Sequence, residues 1–274
     1  MQKMWAVACV AGVVGSVAAG AQGQSERVTV PFSDPSRPGS LNVQLMDGSM
    51  TIRGTDRRDV LIEASGGEQD RSSRNDQAAT GLRRLTQRGG FSVDEQANTM
   101  RLTSGPQGRG QNFTIEVPRR TNLKLNVVNG ESITVDGVEG DIETSNVNGP
   151  NTTLTNVSGS VVAHATNGRI VATIARVAAQ KAMAFSSLNG SVDVTLPASV
   201  KASVKLRSDQ GDVFTDFEIQ MTASKEAPVV KDTRQSNGRY RIEVDRSLYG
   251  TINGGGPEFE LRSFNGNVYL RRGK

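Results

Sequence analysis

Three aspartates stand where a repeated chain could assemble a catalytic site. Asp141, Asp193 and Asp212 each follow shortly after a turn glycine, and glycoside hydrolysis uses two carboxylates roughly 5–10 Å apart. Arg169 occupies the equivalent position of another repeat, and outward charged residues also protect strands from aggregation. We therefore predict that none of these residues is catalytic. The alternative is that the protein is a carbohydrate-active enzyme, a lyase or a hydrolase.

The sequence lacks the residues that a metal site or an activated nucleophile needs. His164 is the single histidine, and alternation along its strand points it outward, so a zinc site of the usual kind cannot form. The phrase Gly-x-Ser-x-Gly is absent. Asp136 and Asp141 supply too few oxygens for calcium, which takes about six to eight. The sequence predicts no metal-binding residue, no cofactor-binding residue and no cofactor.

Two other features bear on binding. Phe214 and Tyr269 are candidates for outward aromatic side chains that stack on sugar rings. The run from Gly254 to Pro257 lacks the Lys-Ser/Thr pair and the helix of a phosphate loop. We expect that run to be a turn that joins two strands.

The elements that position these residues come from a repeat within residues 121–219. Its Asn-Gly pairs have glycine intervals of 19, 19 and 22 residues, and they begin at Asn129, Asn148, Asn167 and Asn189. A further glycine lies halfway through each of the first two intervals, and most of the glycines precede the pattern x-(Ile/Val)-x-(small or branched). Such alternation indicates strands with one buried face. Gly and Asn between the strands indicate turns with positive φ.

Two architectures fit this repeat. Asn-Gly between alternating runs is typical of an antiparallel hairpin, which would give a meander or a sandwich. A unit of two strands and two turns favours an all-β fold instead, a single β-solenoid with coils of about 20 residues and no substantial helix. Its narrow core would contain Ile133, Val135, Ile142, Thr144, Leu154, Val161, Ala163, Ile170, Ala172, Val192, Val194 and Val213.

Residues 1–21 have the features of a secretory signal peptide. Lys3 precedes the apolar run Trp5–Ala19, and residues 19–21 give a small-x-small cleavage site. The run is short for a membrane span, which takes about 20 residues, so we predict no transmembrane span in the mature chain. Cleavage would remove Cys9, the single cysteine, and would lower the formal net charge from +4 to +3. That balance is too weak to indicate nucleic acid.

We predict one domain over residues 22–274, because the glycine phrase also occurs outside the central repeat, at Gly48, Gly238, Gly250 and Gly266. Three polar segments break the pattern, at 65–90, 104–112 and 222–237. We expect them to be surface insertions, which is where binding residues often lie.

A set of motifs in a fixed order runs along the mature chain. These are the Gly48 phrase, a strand that ends at Val117-Pro118, the Asn-Gly coils, Leu196-Pro197 and a glycine-rich end over residues 250–270. The combination resembles the bacterial "putative adhesin" family of exported domains of unknown function. The resemblance implies a bacterial envelope protein with a β-solenoid-like fold. The family offers no catalytic motif to carry over.

The sequence therefore predicts a non-catalytic binding, adhesin-like or scaffold module of the bacterial cell envelope. Its partner would be an envelope polymer, a surface glycan or a protein, and its location the periplasm, the cell surface or the extracellular medium. A structural role beside another envelope protein, through an uncapped solenoid end or an edge strand, is a further alternative.

Overall fold

The structure is a computed structural model that describes residues 26–65, 90–104, 110–178, 180–222, 229–233, 239–243 and 246–274. The signal peptide predicted at 1–21 and most of the insertions predicted at 65–90, 104–112 and 222–237 lie outside the described residues. The described residues are all-β, and none of them forms a helix that could cross a membrane. The strands are β1 (Glu26–Pro31), β2 (Ser40–Thr55), β3 (Asp59–Ser65), β4 (Phe91–Gln96), β5 (Thr99–Ser104), β6 (Asn112–Pro118), β7 (Asn122–Asp136), β8 (Ile142–Asn146), β9 (Asn151–Ser158), β10 (Val161–Ala165), β11 (Arg169–Arg176), β12 (Met183–Ser187), β13 (Val192–Leu196), β14 (Ala202–Ser208), β15 (Val213–Thr215), β16 (Gln220–Thr222), β17 (Val229–Thr233), β18 (Arg239–Glu243), β19 (Leu248–Ile252), β20 (Glu258–Ser263) and β21 (Val268–Arg272).

The strands stack in two layers that share one core. Strands β2 and β7 are long enough to cross from one layer to the other, so that each contributes its first half to layer 1 and its second half to layer 2. Layer 1 runs β4, β5, β2, β7, β8, β10, β12, β20, β14, β19, β16. Layer 2 runs β1, β3, β6, β2, β7, β9, β11, β13, β21, β15.

Every pairing between successive coils of the central repeat is parallel. Ile142 of β8 lies beside Val161 of β10, and Thr152 of β9 lies beside Ile170 of β11. Antiparallel pairs occur only towards the two ends of the layers, among the described strands. The β-solenoid is therefore confirmed, and the antiparallel meander is wrong for the repeat.

The predicted core is buried. Eleven of its twelve residues lie in the interior, among them Ile142 and Ile170, and only Val213 is partly exposed. Val213 is less covered because β15 is the last described strand of layer 2. Alternation of apolar and polar residues along each strand thus places one side inside and the other in solvent.

The coils do not follow one another in chain order. Strands β20 and β21, near the C-terminus, lie between the coil of β12 and β13 and the coil of β14 and β15. At the other end, β2 lies between the strands β5 and β6 and the later strand β7. Strands β20 and β21 are therefore held between two coils that precede them in the sequence. Strand β2 is held between strands that follow it.

The glycines of the Asn-Gly pairs are needed for a different reason from the predicted one. Positive φ is found at Gly48 and Gly159, but not at Gly149, Gly168 or Gly190. A Cβ atom at Gly168 would lie 2.2 Å from the carbonyl oxygen of Gly149, and one at Gly190 would lie 2.2 Å from that of Gly168. These glycines permit the backbones of successive turns to approach closely, so the prediction of positive φ there is wrong.

The asparagines of the same pairs form a ladder along the surface. Each side-chain amide donates a hydrogen bond to the carboxamide oxygen of the asparagine in the preceding coil, over 2.7–2.8 Å. The ladder contains Asn129, Asn148, Asn167, Asn189 and Asn265. Because Asn265 follows Asn189 in space, the ladder records the displaced position of the C-terminal coil.

One predicted repeat lies apart from the coils. The phrase after Gly238 forms β18, which pairs antiparallel with β17 in a separate two-stranded sheet. In the described part of the chain, β18 pairs with no strand of the two layers. The phrases after Gly48, Gly250 and Gly266 do lie in the layers, in β2, β19 and β21.

Candidate binding site

The three aspartates considered for catalysis are held apart on different elements. Asp141 precedes β8 of layer 1, and its carboxylate accepts hydrogen bonds from Lys181 Nζ at 2.6 Å and from the Ser160 N–H at 2.9 Å. Burial favours a higher pKa for Asp141, but these two hydrogen bonds and the Lys181 charge hold its pKa below the ordinary value. A carboxylate bound in this way is poorly suited to accept a proton.

The other two aspartates belong to layer 2. Asp193, on the outer face of β13, binds the Arg271 guanidinium through two contacts of 2.7 and 3.1 Å, and this hydrogen bond raises the pKa of Arg271. Asp212 precedes β15, where its backbone N–H donates to Asn267 Oδ1. Arg169 donates to Asn151 Oδ1 at 3.1 Å on β9. No three His, Cys, Asp or Glu residues of the described ranges are grouped to hold a metal ion.

The histidine and the glycine run lie where they were predicted. His164 is exposed on the outer face of β10, and its Nδ1 is 2.9 Å from Ser186 Oγ on the neighbouring strand β12. The run from Gly254 to Pro257 joins β19 to β20. Positive φ at Gly254 and Gly255 turns the chain there, which accounts for two of its three glycines.

Two aromatic side chains stack on each other at the end of layer 2. Phe214 of β15 and Tyr269 of β21 are opposite each other in the parallel register. Their ring centroids are 5.3 Å apart and the rings are inclined by 13°. The Arg271 guanidinium carbon lies 5.1 Å from the centre of the Tyr269 ring, within the range of a cation–π contact. Phe214, Tyr269, Arg271 and Asp193 together are termed the aromatic patch.

The position of the aromatic patch leaves one ring face open. One face of Phe214 covers Tyr269, and no described strand of layer 2 lies beyond β15. Phe214 is accordingly 47% exposed. Aromatic rings prefer offset-stacked partners, so the free face can extend the stack by one more ring. The hydrogen-bonded Arg271 and Asp193 supply polar groups beside it.

A second surface at the same end is an apolar groove of about 250 Å³. It lies between β14, β15, β16 and β19, and its lining includes Leu206, Phe217, Ile219, Met221 and Leu248. Met221 is 58% exposed and Leu248 is 44% exposed. Terminal coils of repeat proteins normally carry a polar outer face. The described residues at this end therefore form an incompletely capped solenoid.

A family model described as Toastrack DUF4097 matches residues 38–253. The chain belongs to this family. The match spans most of the stacked layers, from the loop before β2 to the end of β19, and the resemblance drawn from the sequence motifs is confirmed. No curated protein matches the chain.

Solved bacterial structures give weaker similarities to this Toastrack domain. A putative cell adhesion protein from Clostridium sporogenes is 10% identical, with a TM-score of 0.46, over 91% of this chain and 100% of that one. A putative adhesin from Bacteroides fragilis is 11% identical, with a TM-score of 0.29, over 91% of this chain and 97% of that one. The family match, and not these similarities, carries the assignment.

Proposed function

We propose that the protein is an exported, non-catalytic binding module of the bacterial cell envelope. It contacts a surface glycan or a related envelope polymer through the aromatic patch. The observation that carries the proposal is the outward stack of Phe214 and Tyr269, whose open ring face adjoins the Arg271–Asp193 pair. The signal-peptide features of residues 1–21 support the exported part of the proposal.

The patch combines two properties that sugar recognition uses. An exposed aromatic face stacks on the apolar face of a sugar ring, and neighbouring charged groups bind its hydroxyls. A patch of this size gives weak binding to one ring. An extended polymer compensates for this, because it can engage several copies of the protein at one surface and raise the effective concentration of each contact.

A glycan array with the purified protein tests the proposal. Phe214→Ala removes the open face, and we expect binding to the recognised glycan to weaken by about tenfold, as for the loss of one aromatic stacking contact. Phe264→Ala is the matched control, because Phe264 is 38% exposed in a turn outside the patch. Unchanged binding by Phe214→Ala, or equal loss in both variants, would overturn the assignment of the patch.

The non-catalytic and exported parts of the proposal have separate tests. Incubation with envelope polysaccharides should release no new reducing ends and no unsaturated sugars, since two of the three candidate carboxylates, those of Asp141 and Asp193, are engaged by Lys181 and Arg271. Release of either product would restore the carbohydrate-active enzyme. Cell fractionation followed by intact-mass measurement should find the chain outside the cytoplasm and beginning at Gln22.

The apolar groove favours a second role, that of a structural partner of another envelope protein. Two strands with exposed side chains flank it, β15 and β16, and an added strand of a partner would continue a layer while it covers the groove. Leu248→Glu should abolish capture of a specific protein from envelope extract and leave glycan binding intact. Capture that is insensitive to this change would argue against the groove as the contact.

A further inference from the structure

An arginine-lined groove of about 370 Å³ lies at the other end of the molecule. Its walls are the loop after β1, the turn after β2 and the turn after β6, together with Glu139 from the turn after β7. Five arginines line it: Arg37, Arg57, Arg58, Arg119 and Arg120. These arginines come from three separate connecting segments of the chain, so it is the fold that brings them together in one groove.

Three of the arginines are already neutralised within the walls. The ion pairs are Arg37–Asp34 at 2.7 Å, Arg57–Asp59 at 2.8 Å and Arg119–Asp56 at 2.9 Å. Glu139 is bound to Arg176 at 3.0 Å. The acidic side chains of the groove are therefore paired and repel an incoming anion only weakly.

The remaining two arginines are available to a ligand. Arg58 and Arg120 are exposed, and neither makes an ion pair or a side-chain hydrogen bond with another residue of the described ranges. Each guanidinium has five N–H donors in a planar fork. This fork fits the oxygens of a phosphate or a carboxylate in a bidentate manner.

The groove has a fixed shape. Phe32 is buried at its base, and Gly39 lies on the Phe32 ring so closely that a Cβ atom there would be 2.5 Å from ring carbons. Pro35, Pro38 and Pro118 restrict the backbone of the walls. A preformed site loses less conformational entropy when a ligand binds.

We propose that this groove binds an anionic group, a phosphate or a carboxylate, through Arg58 and Arg120. Carried on an envelope polymer, such a group would be a second point of attachment for the protein. The groove is roughly 30 Å from the aromatic patch along layer 2, since adjacent strands lie about 4.8 Å apart. Anion binding in the groove therefore does not depend on glycan binding at the aromatic patch, and the Phe214→Ala variant should bind anions as the native protein does.

Calorimetry with two probes, inorganic tripolyphosphate and trigalacturonate, tests the proposal and distinguishes the two anion classes. We expect the native protein to bind at least one of them, more weakly as salt is raised. The double variant Arg58→Gln/Arg120→Gln should bind that probe at least about tenfold more weakly, because it loses charged hydrogen bonds. Lysine at both positions should restore only part of the affinity, since it retains the charge but not the fork.

The matched control is Arg101→Gln/Arg272→Gln, which loses the same charge at two exposed arginines outside the groove. We expect this control to change affinity by less than about twofold, since distant surface charges are screened. Equal weakening in both double variants would mean a general charge effect and would overturn the proposal. Absence of binding of both probes to the native protein would overturn it as well.

Discussion

Replacement of single asparagines tests whether the surface ladder stabilises the solenoid. Asn167 lies within the ladder and makes two side-chain hydrogen bonds, to Asn148 at 2.8 Å and from Asn189 at 2.7 Å. Asn265 lies at one end and makes a single ladder bond, to Asn189 at 2.8 Å. The two residues are chemically identical and both are exposed, so the number of hydrogen bonds is the main difference between them.

The expected magnitudes follow from that number. A hydrogen bond within a protein contributes about 0.5–1.5 kcal/mol net. Asn167→Ala should therefore lower the free energy of unfolding by about 1–3 kcal/mol, and Asn265→Ala by about half as much. Neither residue has positive φ, so alanine introduces no backbone strain. The backbone N–H of Asn167 keeps its bond to the Val147 carbonyl oxygen at 2.9 Å.

Urea unfolding followed by circular dichroism measures both variants, with the free energy taken by linear extrapolation. Asn126→Ala is the control, because Asn126 lies on the outer face of β7 and makes no side-chain hydrogen bond to another described residue. The reasoning is refuted if Asn167→Ala costs no more than Asn265→Ala. It is refuted equally if both cost no more than the control.

Two other predictions concern the core and the pH dependence of stability. Ile170→Asp should cost about 4–5 kcal/mol or more and leave no cooperative unfolding transition, because Ile170 is fully buried and the charge would be unpaired; the same change at Thr153, on the outer face of β9, should leave a normal transition. Lys181→Met should lower the free energy of unfolding at neutral pH. In urea titrations this difference from the native protein should disappear as the pH falls below 3.8, the ordinary pKa of an aspartate carboxyl group. The pKa of Asp141 is lowered in the folded protein, so its contribution to stability is present when the carboxylate is ionised and is lost when it is protonated. A difference in the free energy of unfolding that stays constant down to about pH 2 would contradict the role of the Asp141–Lys181 pair.

Local patterns were enough to predict the strands and their buried faces. Alternation around Ile142 and Ile170 is set by the two-residue period of a strand, and both residues are buried. The same alternation placed Phe214 and Tyr269 on the outer face, where they lie. These properties depend on neighbours in the sequence and need no knowledge of coil order.

The stacking of those two rings depends on coil order and could not be predicted in this way. If the coils followed the chain, Asp193 would lie beside Phe214, and Tyr269 would be elsewhere. Tyr269 lies between them because β21 enters between β13 and β15. A partial signal was present in the sequence, since Asn265-Gly266 is an Asn-Gly pair, whereas Gln210-Gly211 is not one. The amide ladder passes from Asn189 to Asn265 and so departs from the chain order, but the Asn253-Gly254 pair is not in it, because the Asn253 amide donates to backbone carbonyl oxygens.

The arginine groove was missed for a related reason. Its two available arginines, Arg58 and Arg120, are far apart in sequence and lie in turns that only the insertion of β2 beside β6 brings together. No short motif marks them. Sites assembled from turns of non-consecutive coils require the register of the layers, and that register is not encoded in any one coil.

The central claim is that two parallel layers stack with the C-terminal coil out of chain order, and disulfide formation tests it most directly. In a Cys9→Ser background, Ser186→Cys/Arg262→Cys places two thiols on adjacent parallel strands. Their Cα atoms would be about 4.8 Å apart, which suits a disulfide. Ser186→Cys/Arg207→Cys places them two strands apart. The fold predicts rapid oxidation of the first pair and none within the second; oxidation of the second pair alone would contradict it.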